Sequence, residues 1–237
     1  MSFIQAYQQS SNARLGIING LLVDFNADIG LSLSGSGVVS WENIYYGTKI
    51  SAQVGLPDVR KNTAFGGKNY IYLEPGVKEF GTYFIGNSFH GGITIISVAR
   101  FTPGNNSMLW SLEGPTGDPG SITDMWNNGG RLGFNGFNSE CYGPPEGNLG
   151  SPFIHVVSWT NQNLASSKFY MNGVDITANK AGTIFTKPLG EYLRLGRSTP
   201  GYQINGDFAR FMMYNRVLSD AEVMSISSYL NAIYRIY

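Results

Sequence analysis

Between Thr123 and Gly130 the chain reads TDMWNNGG, which sets Trp126 beside Asp124, Asn127 and Asn128. A little further on, SECYGPPEG over 139–147 adds Glu140 and Tyr142. An indole or phenol ring presents a flat apolar face to the C–H side of a pyranose, and neighbouring amides and carboxylates can bond its hydroxyls. These six residues form the candidate ligand-binding set, and the ligand they suit is a carbohydrate. Trp126 can equally be an anchor packed on the body of the protein, because buried tryptophans commonly hold such segments. Asp118, Asp124, Asn127 and Asn128 also offer the hard oxygen atoms that calcium prefers. The same residue types are ordinary turn formers, so calcium stands as a candidate ion, the metal is left open, and no other cofactor is expected.

Other chemistries find less support. His90 and His155 are the two histidines. His155 alternates with Phe153, Val157 and Trp159, which assigns it to an apolar strand face as a hydrogen-bonded core residue. His90, in NSFHGG, has no nucleophile beside it. Cys141 is the single cysteine, so no disulfide can form within the chain, and no metal-type or redox-type partner stands near it. No nucleophile elbow, His/Cys metal cluster or phosphate-binding glycine loop occurs.

The elements that must position the candidate residues are strands. Aromatics make up 14% of the 237 residues and glycines number 31, a composition suited to short strands and tight turns. Ten strand candidates are bounded by Gly, Pro, Asn or Ser: 21–25, 38–44, 69–73, 93–101, 107–113, 131–137, 153–160, 168–171, 191–196 and 207–214. So many strands require two packed sheets. In ITIISVARF both alternating sets are apolar, which places 93–101 centrally with both faces covered. Asn172-Gly173 between two β-prone runs predicts a type I′ hairpin turn. Residues 114–130 and 138–152 read as long loops carrying the six candidates, and 45–68 reads as irregular. Trp41, Trp110 and Trp159 fall in strands and read as core.

The chain closes differently. Residues 207–214 read as a strand covered on both faces, with Phe208, Met212 and Tyr214 on one side and Ala209, Phe211 and Met213 on the other. Asn215-Arg216 then turns the chain. Ser219 and Glu222 have the spacing of a capping box, Leu218 and Val223 that of a hydrophobic staple, and Val223, Ile226, Leu230 and Ile233 form one apolar stripe. A short C-terminal helix therefore docks by one face. The class is all-β, a two-sheet antiparallel sandwich with that helix at its end.

Sixteen basic and 16 acidic side chains leave no net field, which argues against nucleic acid as a partner. No run of about 18 apolar residues suggests a membrane span. The N-terminus, MSFIQAYQQSSNARLGIINGLL, lacks a basic region before its apolar segment and a small-residue cleavage site, so synthesis in a host cytoplasm without a signal peptide is expected.

The closing stretch GDFARFMMYNRVLSDAEV resembles the end of concanavalin A-like lectin/glucanase domains of the laminin-G-like jelly-roll type. Gly206, Asp207, Ala209, Tyr214, Asn215, Arg216, Leu218, Ser219, Asp220 and Glu222 carry the likeness. FIHVVSWT with KFYMNGVDI, LRLGRS, and LVDFNADIGLSLSGSGVVSWENI resemble other parts of that family in the same order. The resemblance implies a jelly roll over 20–237, preceded by an attachment segment at 1–19. Its glucanases place catalytic carboxylates at alternate positions of one strand. Here Asp220/Glu222 is the acidic pair with that spacing, and it belongs to the helix start. Asp24 with Asp28, or Asp118 with Asp124, could approach only through folding, so the chain is expected to be non-catalytic. Two readings follow. One is a virion surface protein of phage type, a decoration, fibre or tail subunit that binds a cell-surface polysaccharide and docks on other virion proteins, or on copies of itself, through 1–19. The other is a bacterial carbohydrate-binding module.

Overall fold

Strand alternation decides this architecture, because each strand of the sandwich commits one side chain in two to the space between the sheets. The computed structural model describes residues 17–86, 91–101, 107–114, 123–128, 131–135, 140–145, 150–160, 163–177, 181–182, 190–196 and 204–237, and between 123 and 145 it describes the course of the backbone. One sheet contains β1 (Leu21–Asn26), β2 (Leu31–Ser34), β3 (Gly37–Glu42), β4 (Lys49–Val54), β5 (Asp58–Lys61), β6 (Asn69–Leu73) and β7 (Glu79–Phe80). It continues with β9 (Gly92–Phe101), β14 (Phe153–Thr160), β15 (Asn163–Met171), β16 (Val174–Asp175) and β19 (Gly206–Tyr214). The second sheet runs in the order β17 (Ala181–Gly182), β13 (Glu140–Pro145), β12 (Arg131–Asn135), β11 (Thr123–Asn128), β10 (Ser107–Glu113), β18 (Tyr192–Leu195) and β8 (Thr82–Phe84). Helix α1 (Asp220–Tyr234) closes the chain. The protein is thus an all-β antiparallel two-sheet sandwich with a short C-terminal helix, as the composition and turn spacing imply, in keeping with the jelly roll that the resemblance implies. No helix among the described residues is long and apolar enough to cross a membrane.

Strand β9 lies between β14 and β19 and is buried along both faces, in keeping with its double apolar pattern. Its odd positions Ile93, Ile95 and Phe101 join Trp41, Trp110 and Trp159 in the core between the sheets. Its even positions Ile96 and Val98 face the other way, into a second cluster with Val223, Ile226 and Leu230 of α1. Asn172 and Gly173 take φ of 52° and 77°, the two left-handed residues that a type I′ turn requires.

The helix start follows its sequence signature. Glu222 N–H donates to Ser219 Oγ at 3.3 Å and Ser219 N–H donates to Glu222 Oε2 at 2.8 Å, closing the capping box. Leu218 and Val223 are buried together. At the other end Tyr234 fills the apolar stripe, and Ile233 is only partly buried.

Several regions depart from the sequence reading. The loop assigned to 114–130 contains β11, the one assigned to 138–152 contains β13, and the irregular 45–68 contains β4 and β5. These segments are rich in Gly, Asn and Pro and weak in local β preference, and pairing with neighbours makes them strands. In β19 a bulge between Phe208 and Arg210 interrupts the two-residue period. Phe208 therefore joins Phe211 and Met213 in the inter-sheet core, while Ala209 joins Met212 and Tyr214 under the helix. Within the proposed attachment segment, residues 1–16 lie outside the described residues. Of the remainder, Ile17 C=O accepts from Tyr214 OH at 3.1 Å and Asn19 C=O from Arg216 Nε at 2.8 Å.

Candidate functional site

Residues directly opposite each other in an antiparallel ladder occupy the same face, so register alone places the six candidates. Asp124 stands opposite Ser111 on one side and Asn135 on the other, and Asn135 stands opposite Glu140. The adjacent row holds Trp126, Gly133 and Tyr142. By this register Asp124, Trp126 and Asn128 of β11 and Glu140 and Tyr142 of β13 belong to one face of the sheet, on either side of β12. Asn127 pairs with Leu132 and belongs to the opposite face. These are strand positions, which corrects the loop setting read from the sequence.

The same face continues onto β10, β18 and β8, where Arg194 stands opposite Ser111, and Glu113 opposite Tyr192, which faces Phe84. Trp110 and Leu112, the alternate residues of β10, lie in the inter-sheet core, so Ser111 and Glu113 point outward from the sandwich. Glu113 is 1% exposed. Its two oxygens are engaged separately: Ser111 Oγ donates to Oε1 at 2.8 Å and Arg194 Nε to Oε2 at 2.7 Å. A buried carboxylate without such partners would be costly, and here the bonds hold the guanidinium by its side. Beside it, the rings of Phe84 and Tyr192 meet with centroids 5.3 Å apart, and Phe84 is 61% exposed. None of Ser111, Glu113, Arg194, Phe84 or Tyr192 belongs to the sequence-derived set. Their signal was available only as strand parity combined with a pairing order that the sequence does not state.

The remaining candidates separate from this face. His155 is buried on the inner face of β14, as its apolar alternation implies, and its Nε2 has no hydrogen-bond partner among the described residues. Burial pushes its pKa down to about 3. His90 and Asp118 lie outside the described residues. Among the described residues no three His, Cys, Asp or Glu side chains stand together as metal ligands. Trp41, Trp110 and Trp159 are core residues, as expected. A groove of about 370 Å³ opens elsewhere, where β19 changes neighbour from β1 to β6, lined by Asp28, Leu31, Leu33, Val59 and Lys61 among others. Asp28 is already engaged there, accepting from Asn69 N–H at 3.0 Å and pairing with Lys68.

The residues behind the family resemblance are structural. A Cβ on Gly206 would collide with the Arg100 carbonyl. Asp207 is buried and accepts from Arg100 Nε at 2.7 Å. Arg216 forks onto Glu222 at 2.6 and 2.9 Å. Asp220 accepts from Tyr170 OH at 2.7 Å and pairs with Lys168.

The sequence matches no protein-family model and no curated protein. Solved structures resemble it in fold. A Trypanosoma rangeli sialidase in complex with the inhibitor DANA aligns with a TM-score of 0.62 and 12% identity over 94% of this chain and 37% of that one. A botulinum neurotoxin type C structure, described by the dependence of cell entry on interaction with two ganglioside molecules, aligns with a TM-score of 0.61 and 12% identity over 93% of this chain and 53% of that one. The binding domain of botulinum neurotoxin DC in complex with rat synaptotagmin II gives 0.57 and 10% over 89% and 52%. The chain thus spans 37% to 53% of the length of these proteins, and at such identities the likeness is one of fold.

Proposed function

We propose that the chain is a non-catalytic glycan-binding jelly roll whose binding surface is the outer face of the second sheet. The observation that carries this reading is the register that sets Asp124, Trp126 and Asn128 of β11 and Glu140 and Tyr142 of β13 on one face of the sheet, either side of β12. Aromatic faces interleaved with amides and carboxylates are the chemistry a sugar ring requires. A neighbour of the same fold interacts with gangliosides, which supports a glycan as the class of partner. In its finer form the proposal is a virion surface subunit of phage type, a decoration, fibre or tail protein made in the host cytoplasm and docked through 1–19. Calcium is a candidate ion for that form.

The test is binding of the purified protein to an array of bacterial surface polysaccharides, with and without calcium, beside a Trp126→Ala variant. Specific binding that the variant loses by about tenfold or more is the expected result. Equal binding by both proteins would move the site off this face. For the docking part, a variant lacking residues 1–18 should lose its assembly contacts. If it remains incorporated in particles as the full chain is, that segment is not the attachment.

Glycoside hydrolysis is the competing reading, and one observation favours it: Asp124 and Glu140 occupy one row two strands apart, roughly 10 Å between backbones. Inverting glycosidases hold two carboxyl groups across a comparable gap. Release of reducing ends from the polysaccharide that binds would establish it.

A further inference from the structure

The Phe84 and Tyr192 pair lies at the far end of the second sheet from Tyr142. We propose that Phe84, Tyr192 and Arg194 form a distal sugar subsite, so that the ligand is an extended, uncharged polysaccharide laid across the strands. This rests on the glycan-binding reading of the same face and adds the length and charge of what binds there.

Three observations carry it. Large apolar side chains that remain exposed in contiguous groups mark contact surfaces, and Phe84 is 61% exposed with its ring against that of Tyr192 at 5.3 Å. Their planes are tilted by 54°, and the mutual contact orders the exposed Phe84 ring before a ligand arrives. Arg194, 17% exposed on its side chain, is held by Glu113 through Nε, which leaves the two terminal nitrogens outside that contact. Because Glu113 is itself buried and bonded by Ser111, the guanidinium is fixed before any ligand arrives, and less freedom is lost on binding.

Length follows from strand order. Phe84 on β8 and Trp126 on β11 are three strand spacings apart, roughly 14 Å, and Phe84 and Tyr142 on β13 are five, roughly 24 Å. One sugar ring cannot touch both ends. Charge follows from the face itself. Among the described side chains of this face the charges are Glu113 and Arg194, which neutralise each other, so a polyanion gains nothing from them.

The experiment uses the full chain. Neutral oligosaccharides from disaccharide to octasaccharide, in α-glucan, β-glucan and mannan series, are titrated calorimetrically against wild type, Phe84→Ala and Trp126→Ala, with polygalacturonate fragments as the acidic series. Affinity in one neutral series should rise with length. Phe84→Ala should lower it about tenfold for the longest members and leave the shortest unchanged, while Trp126→Ala weakens all lengths. Unfolding of Phe84→Ala should match wild type, since the side chain is largely exposed. Equal binding of long chains by Phe84→Ala and wild type, or preference for the acidic series, overturns the distal subsite while leaving the glycan-binding reading in place. No binding in any series, or binding indifferent to Trp126→Ala, overturns both.

Discussion

On its outward face the large sheet carries Ile96, Val98, Ile154, Val156, Met212 and Tyr214 beneath helix α1, whereas the second sheet carries Ser111, Glu113, Arg194, Tyr192 and Phe84 there. The first set is sealed, charges included. Asp24 and Arg210 are 3% and 2% exposed and joined at both ends of the fork, Nε to Oδ1 at 2.8 Å and Nη2 to Oδ2 at 2.6 Å. Burial opposes the arginine's charge, but Asp24 beside it outweighs that and raises the guanidinium pKa well above its ordinary value. In the second set an ion pair is buried at its glutamate and partly exposed at its arginine. One sheet uses its outer face to stabilise the fold, and the other leaves Phe84 exposed and Arg194 partly so, above a buried Ser111 and Glu113.

The contrast is open to attack first at its sealed side. Arg210→Met should cost about 3 to 5 kcal/mol in denaturant unfolding, because it strands Asp24 as a buried charge without its counter-ion. Asp24→Leu combined with Arg210→Met should recover most of that loss. If Arg210→Met is as stable as wild type, the helix side is not sealed as described.

Acid probes the core that the two sheets share. His155 takes up a proton near its ordinary pKa of 6.5 when unfolded and only at about 3 when folded. Over that interval the unfolded state binds more protons, so stability falls as pH drops from about 6.5 and levels off below about 3, a loss of several kcal/mol. Stability curves of wild type and His155→Gln should differ in slope across this window. Parallel curves would mean that His155 is not held neutral.

The smallest expected effect lies at the helix start. Ser219→Ala should cost about 0.5 to 2 kcal/mol by removing the cap. The Arg216 fork, aided by the Ser219 amide, holds the Glu222 carboxyl down at about 2. Its contribution is therefore complete above the ordinary glutamate value and disappears as pH falls through about 2. Thermal unfolding of Ser219→Ala at neutral pH measures the cap, and an unchanged midpoint would show that α1 is held by packing alone.

Local physics made much of this legible. The Asn172-Gly173 turn, the capping box at Ser219, and the doubly apolar β9 each depend on a few neighbouring residues, and a glycine in a left-handed turn or a serine at a cap acts through bonds within one turn of chain. The aromatic and amide composition of the candidate set was equally visible, because residue type needs no fold to be read. Its geometry was not. Segments around Trp126 and Tyr142 are too rich in Gly, Asn and Pro to declare themselves strands, and only pairing with β10 and β12 makes them so. The β19 bulge escaped for a related reason, since one inserted residue exchanges the faces of everything beyond it and only the partner strand records the insertion. Sequence thus determined the turns, the cap, the buried strands and the kinds of side chain available for a ligand. Tertiary structure decided which of them share a face and brought Glu113, Arg194, Tyr192 and Phe84 to it, because register is a relation between strands distant in the chain.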